Sequence, residues 1–212
     1  MTQAPTTIYT VGHGNRTLRE LIILLHGTGV QTLVDVRSFP GSHHYPHFCE
    51  ENLRPALEGS GIIYHWAGRH LGEERQGKTA SAHTALPTPR LRAYADHMET
   101  EIFRKGVDML SQLAGNSVVA ILGVEKSAAD CHRGLIADYL YQHGLAPRHL
   151  IDSATTLQHQ PHPLARWSTP YLIYDNPGPL ARAQWVMSYA RRRNVVRSWV
   201  MREASSPSRR SL

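Results

Sequence analysis

In the stretch ILGVEKSAADCHRGLIADYL, residues 121–140, a cysteine, a histidine and an arginine stand consecutively as Cys131, His132 and Arg133, where an apolar run gives way to a helical pattern. A thiol in the first turn of a helix meets unpaired N–H groups and the positive end of the helix dipole. Both lower its pKa toward that of a usable thiolate, and Arg133 adds to the effect. The same residues also read as packing, with Cys131 a small apolar side chain beneath the helix and His132 and Arg133 turned outward. A second constellation is Asp35 and Arg37 in LVDVR. On a regular strand, positions two apart face the same way, so a carboxylate and a guanidinium can share one pocket. The arginine would grip an anionic or carbonyl group while the aspartate takes a proton or bonds a base or sugar; an internal ion pair is the alternative. His13, Asn15 and Arg16 follow in GHGNR, where small residues opening a helix can hold phosphate. That stretch is not the three-glycine dinucleotide fingerprint, so NAD is not expected. His43, His44 and His47 of SHHYPHF lack a recognised ligand spacing, so no metal and no other cofactor is expected.

The elements that must position these residues are legible as alternating runs. TIYTVGH reads as a strand, and the Leu18, Leu21, Ile22 and Leu25 that follow fall at helical spacing behind Thr17 as N-cap. QTLVDVR and IIYHWAG read as further strands, with a short helix EENLRPALEGSG between them that Pro55 confines to a position near its first turn. From Arg69 to Pro89 there is no periodicity, which predicts a long surface loop, and loops of that length are uncommon without a function. Two helical stretches, the strand SVVAILGVE, the helix DCHRGLIADYLYQHG and the strand PRHLID complete the pattern. Strands alternating with helices imply right-handed parallel crossovers, hence an α/β, Rossmann-like, mainly parallel open sheet with helices on both faces. Such sheets bind ligands beyond the carboxyl ends of their strands, which gathers the polar residues after each strand into one expected pocket.

The chain is long enough at 212 residues for one domain with a full core, and Cys49 and Cys131 are its two cysteines, read as free thiols. No apolar run approaches the roughly 18 residues of a membrane span, and the N-terminus lacks the order of a secretory signal, so a soluble cytoplasmic protein is expected. The net charge is 23 minus 17, or +6, and seven arginines against Glu203 fall in the last 24 residues, leaving 16 against 16 elsewhere. That basic tail, taken as 191–212, reads either as a flexible solvated end or as a non-specific nucleic-acid attachment.

TVGHGNRTLRELIILL, LVDVRSFPGSHHYPHF, RAYADHM and GVEKSAADCHRGLIADYL occur in order and resemble the bacterial and archaeal domain family of unknown function called DUF488. The resemblance runs from about Ile8 to Asp152 and implies a Rossmann-like domain without an established general activity. It divides the chain into a domain at 1–152, an extension at 153–190 packed on or near it, and the tail. Two departures stand out: Gly123, Val124 and Glu125 replace the family's usual Cys-Ala-Glu, and Gly14 replaces a usual serine. The missing cysteine speaks against a two-cysteine metal or redox site.

The pocket expected from the sequence therefore holds His13, Asn15, Arg16, Arg37, His132 and Arg133 for binding, with Asp35, Glu125 and Cys131 for chemistry. The expected function is an enzyme acting on a small anionic ligand such as a nucleotide or nucleic-acid component, by hydrolysis or glycosidic cleavage. A non-catalytic nucleotide or nucleic-acid binding module, and a thiol- or metal-dependent enzyme, are the alternatives. No membrane partner is expected, and the sequence sets no oligomeric state.

Overall fold

A computed structural model describes residues 6–42 and 44–176. The tail at 191–212 and residues 177–190 lie outside the described residues. The main sheet contains β1 (Thr7–Gly12), β2 (Thr32–Asp35), β3 (Ile63–Trp66), β4 (Val119–Gly123), β5 (Ala146–Leu150) and β6 (Thr156–Gln158). Its order is β3-β2-β4-β1-β5-β6; β1 to β5 are parallel, and β6 is antiparallel to β5. The helices are α1 (Leu18–Gly27), α2 (Glu50–Glu58), α3 (Gly68–Leu71), α4 (Pro89–Met98), α5 (Glu101–Asn116) and α6 (His132–Gln142). A hairpin of β7 (Ala165–Ser168) and β8 (Tyr171–Tyr174) follows. The expected mainly parallel α/β sheet is therefore present.

Each helix sits where its apolar face can be buried. Thr17 caps α1 with a full capping box: its Oγ1 accepts from Glu20 N–H at 3.2 Å, and the Glu20 carboxylate accepts from Thr17 N–H at 2.6 Å. Leu21 and Leu25 of α1 and Leu53 and Leu57 of α2 pack with Val11, Leu33 and Leu122 on one face of the sheet. Phe103, Val107 and Leu110 of α5 and Ile136 and Leu140 of α6 pack with Ile8, Val34 and Ile121 on the other. The division follows from strand alternation, since Leu33 and Val34 point to opposite sides, as do Ile121 and Leu122. Pro55 lies inside α2 rather than near its first turn. The buried Leu53 and Leu57 hold a helix whose proline removes one backbone bond. The segment after Asp152 supplies more than an attachment, because Ala165, Leu172 and Tyr174 are buried in the α5/α6 core.

A polar chain crosses this second face. Thr10 Oγ1 meets His149 Nδ1 at 2.7 Å, His149 Nε2 meets His159 Nδ1 at 2.9 Å, and His159 Nε2 meets Asp138 Oδ1 at 2.9 Å. Tyr174 Oη donates to Asp138 Oδ2 at 3.0 Å. One set of tautomers satisfies the chain: the Thr10 hydroxyl donates to Nδ1 of a neutral His149, whose Nε2–H donates to His159, whose Nε2–H donates to the carboxylate.

Two glycines make room for Arg133, whose Nη1 donates to Thr10 at the head of this chain. A Cβ at Gly12 would lie 1.8 Å from the Glu125 carbonyl oxygen and 2.7 Å from Arg133 Nη2, and one at Gly123 would lie 2.6 Å from Arg133 Nε. The first obstacle is backbone and the second is largely a side chain. Both Gly12→Ala and Gly123→Ala should lower the thermal midpoint, with Gly12→Ala the more severe and overpacking costs of about 1–3 kcal/mol or more. Equal midpoints for both variants and the parent would refute this account of the two positions.

Candidate functional site

The sequence places the candidate residues at the ends of β1, β2 and β4, and the structure keeps them there but divides them between the two faces. Asp35 shares the parity of Leu33, so it and Arg37 lie on the α1/α2 face. Arg37 Nε donates to Asp35 Oδ1 at 2.9 Å and Oδ2 at 3.1 Å, and its Nη2 donates to Asp35 Oδ2 at 2.5 Å and to the Phe48 carbonyl at 2.9 Å. Tyr64 Oη donates to the same Oδ2 at 2.8 Å. Both partners are buried, at 0% and 1% exposure, so the pair is an internal ion pair as well as a strand-end feature. Burial alone would lower the Arg37 pKa, but the bonds and charge of Asp35 outweigh it and raise the value. Arg37 Nη1 is buried and is the one such side-chain atom without a hydrogen-bond partner among the described residues.

His13 belongs to this face too. Its ring stacks on Phe48 at 4.4 Å and meets Tyr45 edge-on at 6.0 Å, and its Nδ1 donates to the Gly14 carbonyl at 2.9 Å. Burial first, and then the Arg37 charge, pull its pKa down to about 4, so it is neutral. Asn15 is exposed at the turn. Arg16 is committed to main chain, bonding the Gly12 and Ile151 carbonyls and so tying the end of β1 to the residue after β5. His47 Nε2 contacts the Arg16 carbonyl at 3.0 Å, which closes the β2–α2 loop over the β1–α1 turn.

Cys131, His132 and Arg133 approach from α6 on the opposite face, because the chain crosses back over β1 in passing from β4 to β5. All three are buried, which corrects the outward placement of His132 and Arg133. Arg133 donates from Nε to Cys131 Sγ at 3.3 Å, from Nη1 to Thr10 Oγ1 at 3.2 Å, and from Nη2 to the Glu125 carbonyl. None of these acceptors is a carboxylate. His132 Nε2 donates to the Val36 carbonyl at 3.0 Å, so its Nδ1 carries no proton and faces the Cys131 sulfur at 3.5 Å. Burial drives the Cys131 pKa up to about 11 and the His132 pKa down to about 4. An imidazole of that basicity cannot hold a proton taken from that thiol. The expected thiolate is thus corrected: Cys131 is the N-cap of α6, but its side chain makes no capping bond, and desolvation outweighs the helix dipole.

Glu125 is half-buried, and its Oε1 accepts from Arg90 Nη2 at 2.8 Å. Burial pushes its pKa up, but hydrogen bonds from Cys131 and Arg90 leave it below the ordinary carboxylate value. It is ionised, hence a base and not an acid at neutral pH. Arg90 also lines an open cleft of about 710 Å³ with Glu73, Glu74, Arg75, Lys78, Thr79, Arg92 and Asp96, residues of the 72–88 loop and of α4. The cleft abuts the carboxyl edge, since the Glu73 carboxylate accepts from Ser38 N–H at 2.9 Å. The site expected from the sequence does not open into it as a unit: Asp35 and Arg37 are sealed on one side, and Cys131 to Arg133 are sealed behind Glu125 on the other. Arg75, Arg90 and Arg92 were not among the sequence candidates. For Arg90 and Arg92 the signal is two arginines and no acid at the start of a helix, where the dipole disfavours cations; Arg75 lies in the loop and has no such signal.

Among the described residues, His83, Asp96 and Glu99 are close enough to share an ion. Tyr174 N–H donates to His83 Nδ1 at 3.3 Å, so the ring proton is on Nε2, which donates to Glu99 Oε1 at 3.0 Å. A metal would need that lone pair, and Lys78 Nζ already bonds the same Glu99. With Ser81 Oγ donating to Asp96 Oδ1 at 2.9 Å, the group fits a polar latch that pins the 72–88 loop to α4 better than it fits an ion.

A family model described as a domain of unknown function, DUF488, matches residues 17–140. No curated protein and no solved structure matches the chain.

Two measurements check these assignments. In the native protein, iodoacetamide at pH 7 should modify the half-buried Cys49 while Cys131 stays unlabelled, and labelling of Cys131 first would contradict its burial. Stability should also fall with acid: His13 and His132 hold folded pKa values of about 4 against an ordinary 6.5. The unfolded chain therefore binds protons that the native one refuses. Their stabilising contribution is complete above pH 6.5 and is lost as pH falls toward 4, at about 1.4 kcal/mol per unit for each histidine. Urea midpoints that stay flat from pH 6.5 to 5, above the range of ordinary carboxylates, would contradict it.

Proposed function

Because the chain belongs to the DUF488 family of domains of unknown function, whose description names no activity, we propose its function from the geometry: it binds a small anionic ligand in the cleft beside the carboxyl edge, with Glu125, which reaches Arg90 at the cleft wall, as the candidate base. The observation that carries this reading is the state of the cleft's own charges. Arg75, Lys78, Arg90 and Arg92 line it beside Glu73, Glu74 and Asp96, with Lys78 paired to Glu99 and Arg90 to Glu125. The carboxylates are mostly spent. Asp96 accepts from Lys78 N–H and Ser81 Oγ, both at 2.9 Å, and Glu73 accepts from Ser38. The arginines are not: Arg92 donates to the Leu86 carbonyl alone, at 2.7 Å, and Arg75 to the carbonyls of Gly68, Arg69 and Gly72. The open donors, set at the start of α4, suit an oxyanion. A volume of about 710 Å³ is that of an ordinary small-molecule site.

Within this reading, thiol chemistry has no support, because Cys131 keeps its proton, and catalysis rests on Glu125 acting as a general base. Calorimetry with inorganic phosphate, pyrophosphate and adenosine monophosphate is the test. Binding should weaken about tenfold or more in an Arg90→Gln, Arg92→Gln double variant whose melting curve matches the parent, the loss of roughly 1.4 kcal/mol from two charged contacts. Absence of binding at millimolar concentration for all three probes would overturn the proposal. If an activity is found, Glu125→Gln should abolish turnover while binding persists, and turnover left intact would make the protein a binding module.

A further inference from the structure

Glu125 is the acceptor that occupies Arg90 before any ligand arrives. Its carboxylate sits on the loop after β4, whereas Arg90 projects from the first turn of α4, and the 2.8 Å contact joins the strand-end loop to the cleft wall. The Arg90 side chain is half exposed and that of Glu125 is 29% exposed, so the pair is wet and weakly held. The two ends differ in what they would lose on separation. Arg90 lies in the cleft where an oxyanion would sit, and its backbone N–H makes no hydrogen bond among the described residues, because the Thr88 cap serves Leu91 instead. Glu125, once released, stays tethered. Its main-chain carbonyl is fixed by the buried Arg133, so the carboxylate cannot leave the neighbourhood of Cys131 and the cleft.

We propose that an oxyanion with at least two free terminal oxygens, such as the phosphate group of a monoester, binds by displacing the Glu125 carboxylate from Arg90, so that the ligand's own charge unmasks the base that faces it. This rests on the reading of the cleft as an anion site and adds the identity of the group the ligand must expel. The exchange is balanced: one anionic acceptor replaces another on the same guanidinium, and no proton need move. The freed carboxylate loses its cationic partner and gains an anionic neighbour, and each change favours its protonated form. A base that is inert while Arg90 holds it therefore becomes more basic when the ligand is in place. Two free oxygens are required because Arg90 presents a fork of donors and the first turn of α4 a further N–H. A single carbonyl would gain less than the departing carboxylate gave.

The experiment measures phosphate affinity by calorimetry in the full chain and in Glu125→Gln, Glu125→Ala and Arg90→Gln. Removing the competitor should tighten binding about two- to fivefold in both Glu125 variants, the range expected for release of an exposed ion pair, while Arg90→Gln should weaken it. In the double variant Arg90→Gln, Glu125→Gln the gain from losing Glu125 should vanish, which separates displacement from a general change in cleft charge. Phosphate bound by the parent with the same affinity in both Glu125 variants overturns the displacement and leaves the anion site standing. A gain that survives in the double variant overturns it equally. Phosphate bound by neither parent nor variants overturns the anion site itself.

Discussion

Arg133 places a cationic guanidinium inside the protein without a carboxylate to receive it, and the carboxyl edge of the sheet is arranged around that requirement. A buried charge is tolerable only when its donors are met. Here they meet a threonine hydroxyl, a thiol and a peptide carbonyl. To let the side chain reach them, positions 12 and 123 have to be glycine, since a methyl group at either would occupy its path. The same packing strips Cys131 of water, and so a residue whose position suggests reactivity becomes an acceptor for its neighbour. The main-chain oxygen that Arg133 holds belongs to Glu125, the residue whose side chain turns to the cleft.

Asp35 and Arg37 solve the comparable problem differently. They neutralise one another, and Tyr64 and the Phe48 carbonyl add to their bonding, leaving Arg37 Nη1 unmet. One face of the sheet edge is thereby closed and nearly neutral under the β2–α2 loop. The other carries an uncompensated arginine behind a cleft whose walls hold three more. Ligand binding is proposed for the second because charge and space occur together there, whereas the spare donor of the first, Arg37 Nη1, is buried.

The fold was legible because its signals are local. The capping box at Thr17 and Glu20, the alternation in LVDVR and the helical spacing of α1 each need a few residues to read, and parallel crossovers then impose the layers. The site was legible one residue at a time but not as an assembly. Asp35 and Arg37 do meet, although β2 ends at Asp35 and Arg37 lies two residues beyond it. What was not read was that the crossover from β4 to β5 runs opposite in direction to that from β1 to β2, which puts α6 and its Cys-His-Arg run across the sheet from them. The thiol misleads because a helix start advertises its dipole in the sequence, whereas the burial that defeats it depends on tertiary packing that the local sequence does not carry. The cleft was missed because it is built from the loop between Arg69 and Pro89, whose lack of period marks it as a loop without saying what it encloses.

The polar chain from Thr10 through His149 and His159 to Asp138 begins and ends on α6, since Arg133 donates to Thr10 and Asp138 closes the far end. It is a ring that leaves a helix, passes through two strands and returns five residues further along. Its donors and acceptors match in one order only, so it works as a key for the seating of α6: a slide by one turn, about 5.4 Å, would face each group with the wrong partner and strand a guanidinium and a carboxylate in the interior. Apolar residues can be repacked after such a slip, but this ring cannot. The position of the helix that carries Cys131, His132 and Arg133 is therefore chosen by hydrogen-bond polarity, and the hydrophobic layer beneath it supplies adhesion without choosing the notch.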